Sequence, residues 1–455
     1  MESVEAQIAE WRAYVEKAPA VNGHDVDELE DHLRHQIAEL TEAGLAPDEA
    51  FLVGVKRMGG VDSLSREFAR EHSSRLWKQL VLAGDEPARA ATGWVEAFAF
   101  GAAAAVAIQV ARLAAESPDG EASWLARNAT LFVLPFLAAY FARRRELDLR
   151  AWLLTAVPIV LAAIVVNVYP WGPDSGRVTF GESVSDTENI AMLALPVALW
   201  FVVAFPYMDG TLRSHERRMD FVRFTGEWFI YYVLIALGGG VLMGLTAAIL
   251  EPAGVDVERV FEWVIPSGAA GAVVVAAWLV ESKQRVVENM APVLTMLFTP
   301  LFAAMLVAAT VVYAVTGLDG AFDRDLVSVI DALLVVVLAL VLYGMSAREP
   351  SASPTWMDGI QLVAVVGALV LDLMVLGAML ARIGDLGFTP NRTAALALNA
   401  VLLVNLAGAA FLSARFLAGR SRFHRLERWQ TSYLPVFAVA AWALVVVLPP
   451  LFGFE

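Results

Sequence analysis

Long blocks of apolar residues, separated by short polar stretches, dominate the chain from residue 94 onward. Each block is roughly 18–24 residues long, which matches the length that a helix rising 1.5 Å per residue needs to cross the hydrocarbon core of a membrane. The pattern therefore predicts an all-α, polytopic integral membrane protein with about eleven transmembrane helices. The blocks cover residues 94–114, 124–141, 151–169, 189–207, 228–250, 261–280, 292–315, 326–343, 360–381, 394–414 and 431–452.

Residues 1–80 have a different pattern, in which apolar residues recur at helical spacing within a charged sequence. Such amphipathic stripes are typical of helices that pack around a small core. We expect helices over 3–17 and 26–43, a third that starts near Pro47 and stops at Gly59, and a fourth over 63–80. The apolar stripes of the first two helices comprise Val4, Ile8, Trp11 and Val15, and Leu29, Leu33, Ile37 and Leu40.

The pattern divides the chain into three segments. Residues 1–80 form a small helical domain, residues 81–188 a juxtamembrane helix and the first three crossings, and residues 189–455 an eight-helix membrane domain. The composition agrees, since 58% hydrophobic residues and 18% charged residues lie outside the range of soluble globular domains. The absence of cysteine excludes disulfides and thiol chemistry.

The distribution of basic residues predicts the orientation in the membrane. Sixteen arginine and lysine residues fall in one set of alternate loops, and seven arginines fall in the opposite set with its flanks. Because short cytoplasmic loops are enriched in basic residues, the first set is predicted to be cytoplasmic. The N-terminal domain is then inside and the C-terminus outside the cell.

The first twenty residues lack the apolar core of a cleavable signal peptide, and the excess of arginine over lysine favours a bacterial cytoplasmic (inner) membrane.

The N-terminal segment resembles the HAAS, or permease prefix, domain of bacterial membrane proteins. The resemblance covers roughly residues 5–75 and rests on "DVDELEDHLRHQIAELTEAGLAPDEAFLVGVKRMGG" with its "GLAPDEA" turn. It implies a signalling or protein-docking module, with a PadR-type transcription regulator or a similar protein as the partner of residues 1–80. Nucleic acid would then be reached through that partner and not directly.

Residues from about 189 to 452 resemble a family of bacterial multi-pass membrane proteins classed as a domain of unknown function. The stretches that carry the resemblance are "RMDFVRFTGEWFIYYVLIALGGGVLMG", "LFTPLFAAML", "RIGDLGFTPNRTAALALN" and "RWQTSYLPVFAVAAWALVVVLPPLFGF". The resemblance implies a shared membrane fold and provides no substrate. In the third stretch, Thr389 and Pro390 are expected to begin the tenth crossing.

Glycines are concentrated in the fifth crossing. Gly240 and Gly244 form a GxxxG face, and Gly238 and Gly239 add small residues beside it. Small residues let two helix backbones approach closely in a membrane. The favoured interpretation is tight helix packing within one chain, the alternative is a hinge in a moving helix, and the sequence is also compatible with a homo-oligomer.

Four polar residues lie within the predicted eighth to tenth crossings: Asp331, Asp372, Asn399 and Asn405. A carboxylate in mid-membrane is costly and usually faces a water-filled cavity or the bundle interior. In one interpretation the four residues line a polar cavity in which Asp372 carries a proton or a cation. In the other they form an interhelical hydrogen-bond set, with Asp372 protonated or paired with an arginine. Arg382, about 15 Å along the same helix, is too far to be that partner.

The sequence contains no P-loop, no dinucleotide-binding fingerprint, no HExxH and no Gly-x-Ser-x-Gly motif. We therefore expect no enzymatic activity and no cofactor. Glu28, Asp31, His32 and His35 have the spacing of metal ligands on a helix, but a solvated acidic face is favoured because no second ligand cluster accompanies them. The leading hypothesis is a sensory or regulatory protein that couples the membrane domain to a docking module. The alternative is a transporter or channel for a proton-coupled small molecule, an ion or a lipid.

Overall fold

The computed structural model describes residues 4–15, 23–42, 45–58, 86–115, 122–172, 177–179, 182–250, 257–282, 290–316, 324–346, 348 and 353–455. The chain divides into two compact units, Met1–Thr92 and Gly93–Glu455. Within the described ranges it is helical apart from one two-stranded antiparallel hairpin, which confirms the predicted all-α class.

The N-terminal unit contains three described helices around a core of its own. They are α1 (Val4–Val15), α2 (Gly23–Glu42) and α3 (Pro47–Met58). Trp11, Leu33 and Phe51 are fully buried in this core, one from each helix. The stripes predicted for the first two helices therefore face inward wherever their side chains are described. The fourth helix predicted over 63–80 lies outside the described residues.

The surface of this unit carries a charged network that ties α1 to α2. Arg34 donates to both oxygens of Glu5, at 2.8 and 2.9 Å, and to Glu30 at 2.9 Å. Arg12 also pairs with Glu30. The hydrogen bonds from Arg12 and Arg34 hold the pKa of the Glu30 carboxyl below its ordinary value, and the hydrogen bond from Arg34 does the same for the pKa of Glu5.

The second unit consists of long helices and the short hairpin. Its elements are α4 (Glu86–Ala115), which begins in the first unit, α5 (Ala122–Asn128), a 3₁₀ turn (Ala129–Phe132), α6 (Leu134–Arg144), α7 (Leu149–Val168), β1 (Arg177–Thr179), β2 (Glu182–Val184), α8 (Asp186–Tyr207), α9 (His215–Leu250), α10 (Val257–Ser282), α11 (Met290–Thr316), α12 (Arg324–Ser346), α13 (Trp356–Leu386), α14 (Pro390–Leu417), α15 (Phe423–Val446) and α16 (Leu448–Leu451).

Within the described residues, this unit has eleven helical spans that are long and apolar enough to cross a membrane, as predicted. The second span, Trp124–Arg144, is built from α5, the 3₁₀ turn and α6 together. Several helices extend past their apolar block, and α9 begins at His215 although its block begins at residue 228. Backbone hydrogen bonding continues into polar sequence, which hydropathy alone does not register. The protein is a multi-pass membrane protein.

Two large apolar cores contain most of the buried apolar residues described in the membrane unit, and two smaller clusters accompany them. The larger one, in α11 to α14 and parts of α9 and α15, includes Leu306, Leu334 and Leu371. The other includes Leu137 of α6 and Leu199 of α8. The second core joins residues on both sides of position 188, so the segments predicted as 81–188 and 189–455 share one packed interior.

The glycine face of α9 has no close neighbour among the described residues. A Cβ built on Gly238, Gly239, Gly240 or Gly244 would meet nothing within 4 Å. The expected tight intramolecular packing is therefore not observed. Close approaches occur at other glycines: a Cβ on Gly408 would lie 2.2 Å from the Trp429 ring. Glycine spacing was a poor guide here because it does not specify which face of a helix has a neighbour.

Candidate functional site

The candidate site lies at the middle of α13, whose ends are well defined. Thr355 and Asp358 form a capping box at its start, and Gly387 ends it with a φ of 77°. The buried side of the helix follows the period expected for one packed face. Asp372 belongs to that buried stripe, which comprises Val365, Ala368, Leu371, Asp372, Val375 and Met379.

Asp372 is fully buried, with 0% of its surface exposed. Neither carboxyl oxygen has a hydrogen-bond partner among the described residues. Asp331 of α12 is near enough for its charge to act on the Asp372 carboxyl. A buried carboxyl without a donor is costly, so the position requires a positively charged species or a proton.

Asp331 is joined to α14 through Asn399. The Asn399 side-chain amide donates to Asp331 Oδ1 at 2.9 Å and to the Ala395 carbonyl at 2.8 Å, and it lies 4.0 Å from the Met379 sulfur of α13. Asn399 Oδ1 is buried without a partner in the described part of the chain. Together with the two oxygens of Asp372, three buried acceptor oxygens therefore lack a donor. The site is therefore distinguished by an excess of acceptor oxygens over hydrogen-bond donors.

Asn405 belongs to a different hydrogen-bonded pair. Its amide donates to Gln430 Oε1 of α15 at 2.9 Å, and both side chains are fully buried. The structure thus groups Asp331, Asn399 and Asp372, while it pairs Asn405 with a residue that the sequence analysis did not select. Gln430 lies just before the eleventh apolar block. The spacing Phe423, Leu426, Gln430 would have placed it on the buried face.

A second polar region is a cleft of about 500 Å³ that is lined by both acidic and basic residues. It lies at the end of the bundle where α6 ends and α9 begins. This end of the bundle is called the basic end, because the arginine-rich loops are there. Its charged groups pair largely with one another. Arg145 contacts Asp209 at 3.4 Å and Glu281 at 3.2 Å, and Arg217 also pairs with Asp209. Because these pairs already compensate much of its charge, the cleft is a weaker candidate than the unpartnered Asp372.

A buried ion pair joins α5 to α8 at the opposite end. Arg127 pairs with Glu188, and their side chains are 9% and 7% exposed. The Arg127 guanidinium also lies 5.7 Å from the Trp171 ring centroid. Only the approach of α5 to α8 turns them into a buried structural pair.

No metal site is apparent among the described side chains, where no three His, Asp or Glu residues cluster. Asp31 and His35 of α2 are exposed, while the side chains of Glu28 and His32 are outside the described set.

Comparisons with protein-family models, with curated proteins and with solved structures find no match to this chain. The two family resemblances therefore stay predictions.

Proposed function

We propose that this protein is a transporter that carries a proton or a monovalent cation on Asp372. The observation that carries the proposal is a fully buried carboxyl with two oxygens that have no hydrogen-bond partner among the described residues. A purely structural carboxyl at such a position would be expected to have a donor, since an unsatisfied buried group costs free energy. Intramembrane carboxyl groups of this kind commonly mark the pathways of protons and ions.

The neighbours of Asp372 support a cationic substrate. Asn399 directs its amide donor to Asp331 and leaves its oxygen unused, so no described donor remains for Asp372. An ionised Asp331 nearby favours a positive species at the site. The asymmetry of basic loops supports a bacterial cytoplasmic membrane location, with the basic end of the bundle facing the cytoplasm.

Ion flux into proteoliposomes tests this function. Gradients of protons, Na⁺ and K⁺ are imposed in turn, and uptake is followed with fluorescent indicators. Asp372→Asn is expected to reduce flux at least tenfold, because the amide cannot take up a proton or pair with a cation. Asp385→Asn is the matched control, since Asp385 is an exposed acid on the same helix. Unchanged flux in Asp372→Asn, or no flux in the unmodified protein, would rule out the proposal.

A regulatory role for residues 1–80 is the second candidate. It is supported by the separate core of the N-terminal unit, since a module with its own core can present a surface independently of the membrane helices. Its exposed α2 residues Asp31, His35 and Glu39 are available to a protein partner. The full-length protein in nanodiscs should then bind a PadR-type regulator from the same genome. Charge reversal at Asp31 and Glu39 should weaken that binding, and absence of binding would exclude this role.

A further inference from the structure

A second buried polar pair, formed by α14 and α15, has complementary unused groups. Asn405 and Gln430 share one hydrogen bond of 2.9 Å. Asn405 Oδ1 and Gln430 Nε2 are buried and have no partner among the described residues. One is an acceptor and the other a donor, which is the combination that a single ordered water molecule satisfies.

The connection between α13 and α14 places this pair at the depth of Asp372. The two helices are antiparallel neighbours joined by Gly387–Thr389. Asp372 lies 14 residues before Leu386 (386 − 372), and Asn405 lies 15 residues after Pro390 (405 − 390). At 1.5 Å per residue, both are about 21–23 Å from the turn. Asn405 is thus level with Asp372 on the adjacent helix.

A third polar contact continues from Gln430 toward the basic end. Thr431, the next residue in α15, is fully buried, and its hydroxyl lies 2.8 Å from His215 Nδ1. The same hydroxyl donates to the Glu427 carbonyl at 2.9 Å, so it accepts from a protonated Nδ1. His215 is the first residue of α9 and is partly exposed. The imidazole therefore connects the solvent at the start of α9 to a fully buried hydroxyl of α15.

Close packing holds this arrangement in place. The Trp429 indole N–H donates to the Asn405 carbonyl at 3.1 Å, and its ring lies against Gly408 of α14. The charged groups that act on His215 are Arg218 of α9 and Glu427 and Arg428 of α15. Arg218 also donates to the Thr431 carbonyl at 3.0 Å. The imidazole is thus influenced by charges of both signs, while its Nδ1 is bonded to the neutral hydroxyl of Thr431.

We propose that His215 exchanges protons with water at the basic end, and that Thr431, Gln430 and Asn405, with bound water, lead them to Asp372. This inference rests on the proposed function and narrows its substrate class to the proton. In the net step, a His215 imidazolium gives up one proton and the Asp372 carboxylate becomes a carboxylic acid. Imidazole and hydroxyl groups and bound water pass a proton along hydrogen bonds, and the two amides hold that water in place, whereas a dehydrated metal cation would need a set of oxygen ligands along the way.

The test follows protonation of Asp372 itself. The protein is reconstituted in one orientation in proteoliposomes, and the pH is lowered on the basic side. The carboxylic acid C=O band that is absent in Asp372→Asn is then recorded by time-resolved infrared difference spectroscopy. His215→Gln and Gln430→Leu are expected to slow the appearance of this band at least tenfold with little loss of its final amplitude. His424→Gln is the matched control, because His424 is an exposed histidine at the start of α15.

The outcomes distinguish a failure of the proposed proton route from a failure of the proposed transport function. An unchanged rate in both His215→Gln and Gln430→Leu overturns the route and leaves the proposed function standing if Asp372→Asn still abolishes flux. A band that responds to Na⁺ at constant pH overturns the assignment of the proton as the substrate. His215→Gln keeps the test decisive if Gln430→Leu fails to fold, since the side chain of His215 is partly exposed.

Discussion

Asp372 occupies a position on α13 where the helix period requires an apolar side chain. On insertion scales an aspartate at the centre of a membrane helix costs about 2.5–3.5 kcal/mol. The described structure provides no donor that would offset this cost. A residue that lowers stability and makes no compensating contact is best explained by a function that requires it.

Replacing this carboxyl should therefore stabilise the protein. Asp372→Val removes the buried unsatisfied group, and we expect the free energy of unfolding in detergent to rise by about 1–3 kcal/mol. Thermal unfolding followed by circular dichroism measures the change. Asp385→Val on the exposed part of α13 should alter stability by about 0.5 kcal/mol or less. A loss of stability in Asp372→Val would mean that the carboxyl has a structural role.

Glycines in open space and in close contact should respond oppositely to alanine. Gly408→Ala places a Cβ 2.2 Å from the Trp429 ring, so α14 and α15 must separate and the melting temperature should fall. Gly239→Ala meets nothing within 4 Å and should gain about 1 kcal/mol from helix propensity. The two variants are compared in the same detergent. A destabilising Gly239→Ala would show that this face has a neighbour in the membrane.

At the scale of elements, the contribution of an ion pair to stability depends on how deeply the pair is buried. Arg127–Glu188 joins α5 to α8 with both side chains under 10% exposed, whereas Arg143–Glu96 joins α6 to α4 with side chains 64% and 35% exposed. Breaking a buried pair leaves an uncompensated charge, while an exposed pair is screened by water. The first pair therefore fixes the position of α8 more strongly than the second fixes α4.

A double-mutant cycle checks this difference. Glu188→Gln should cost about 3–5 kcal/mol, because the Arg127 charge stays buried. Arg127→Met combined with Glu188→Gln should cost clearly less than the sum of the two single changes. The equivalent cycle at Arg143 and Glu96 should give a coupling of about 0–1 kcal/mol. Additive effects at Arg127 and Glu188 would contradict the pairing.

At the scale of the whole molecule, the N-terminal unit should lose stability in acid through its own charged network. The pKa of Glu30 is below its ordinary value of 4.5 because of the hydrogen bonds from Arg12 and Arg34. This contribution to stability is complete above pH 4.5 and is lost as the pH falls through the lowered pKa. Hydrogen exchange in the full-length protein should therefore accelerate in α1 and α2 as the pH is lowered through this range, after correction for the intrinsic exchange rate.

Glu30→Gln should remove most of this acid dependence in the N-terminal unit. Glu39→Gln is the control, since Glu39 is 68% exposed and its one described ion pair is with His35 at 3.7 Å. A pH profile that is identical in Glu30→Gln and the unmodified protein would mean that the network with Arg12 and Arg34 does not stabilise the unit.

Most of the architecture was predictable from local pattern. The eleven spans, the inward stripes of α1 and α2, and the start of α14 at Pro390 all follow from hydropathy, period and capping chemistry. The burial of Asp372 also follows, because its position lies on the apolar stripe of α13. These features depend on residues within a few turns of one another.

By itself, the sequence predicted the all-α class, the eleven apolar spans found among the described residues, and the candidate carboxyl at the middle of the ninth span. The tertiary structure decided which polar groups meet: Asp331 with Asn399, Asn405 with Gln430, and Thr431 with His215. It also decided that the glycine face of α9 has no neighbour in the described chain. The physical reason is that period and hydropathy are properties of one helix, whereas a hydrogen bond between helices depends on their relative depth, rotation and distance.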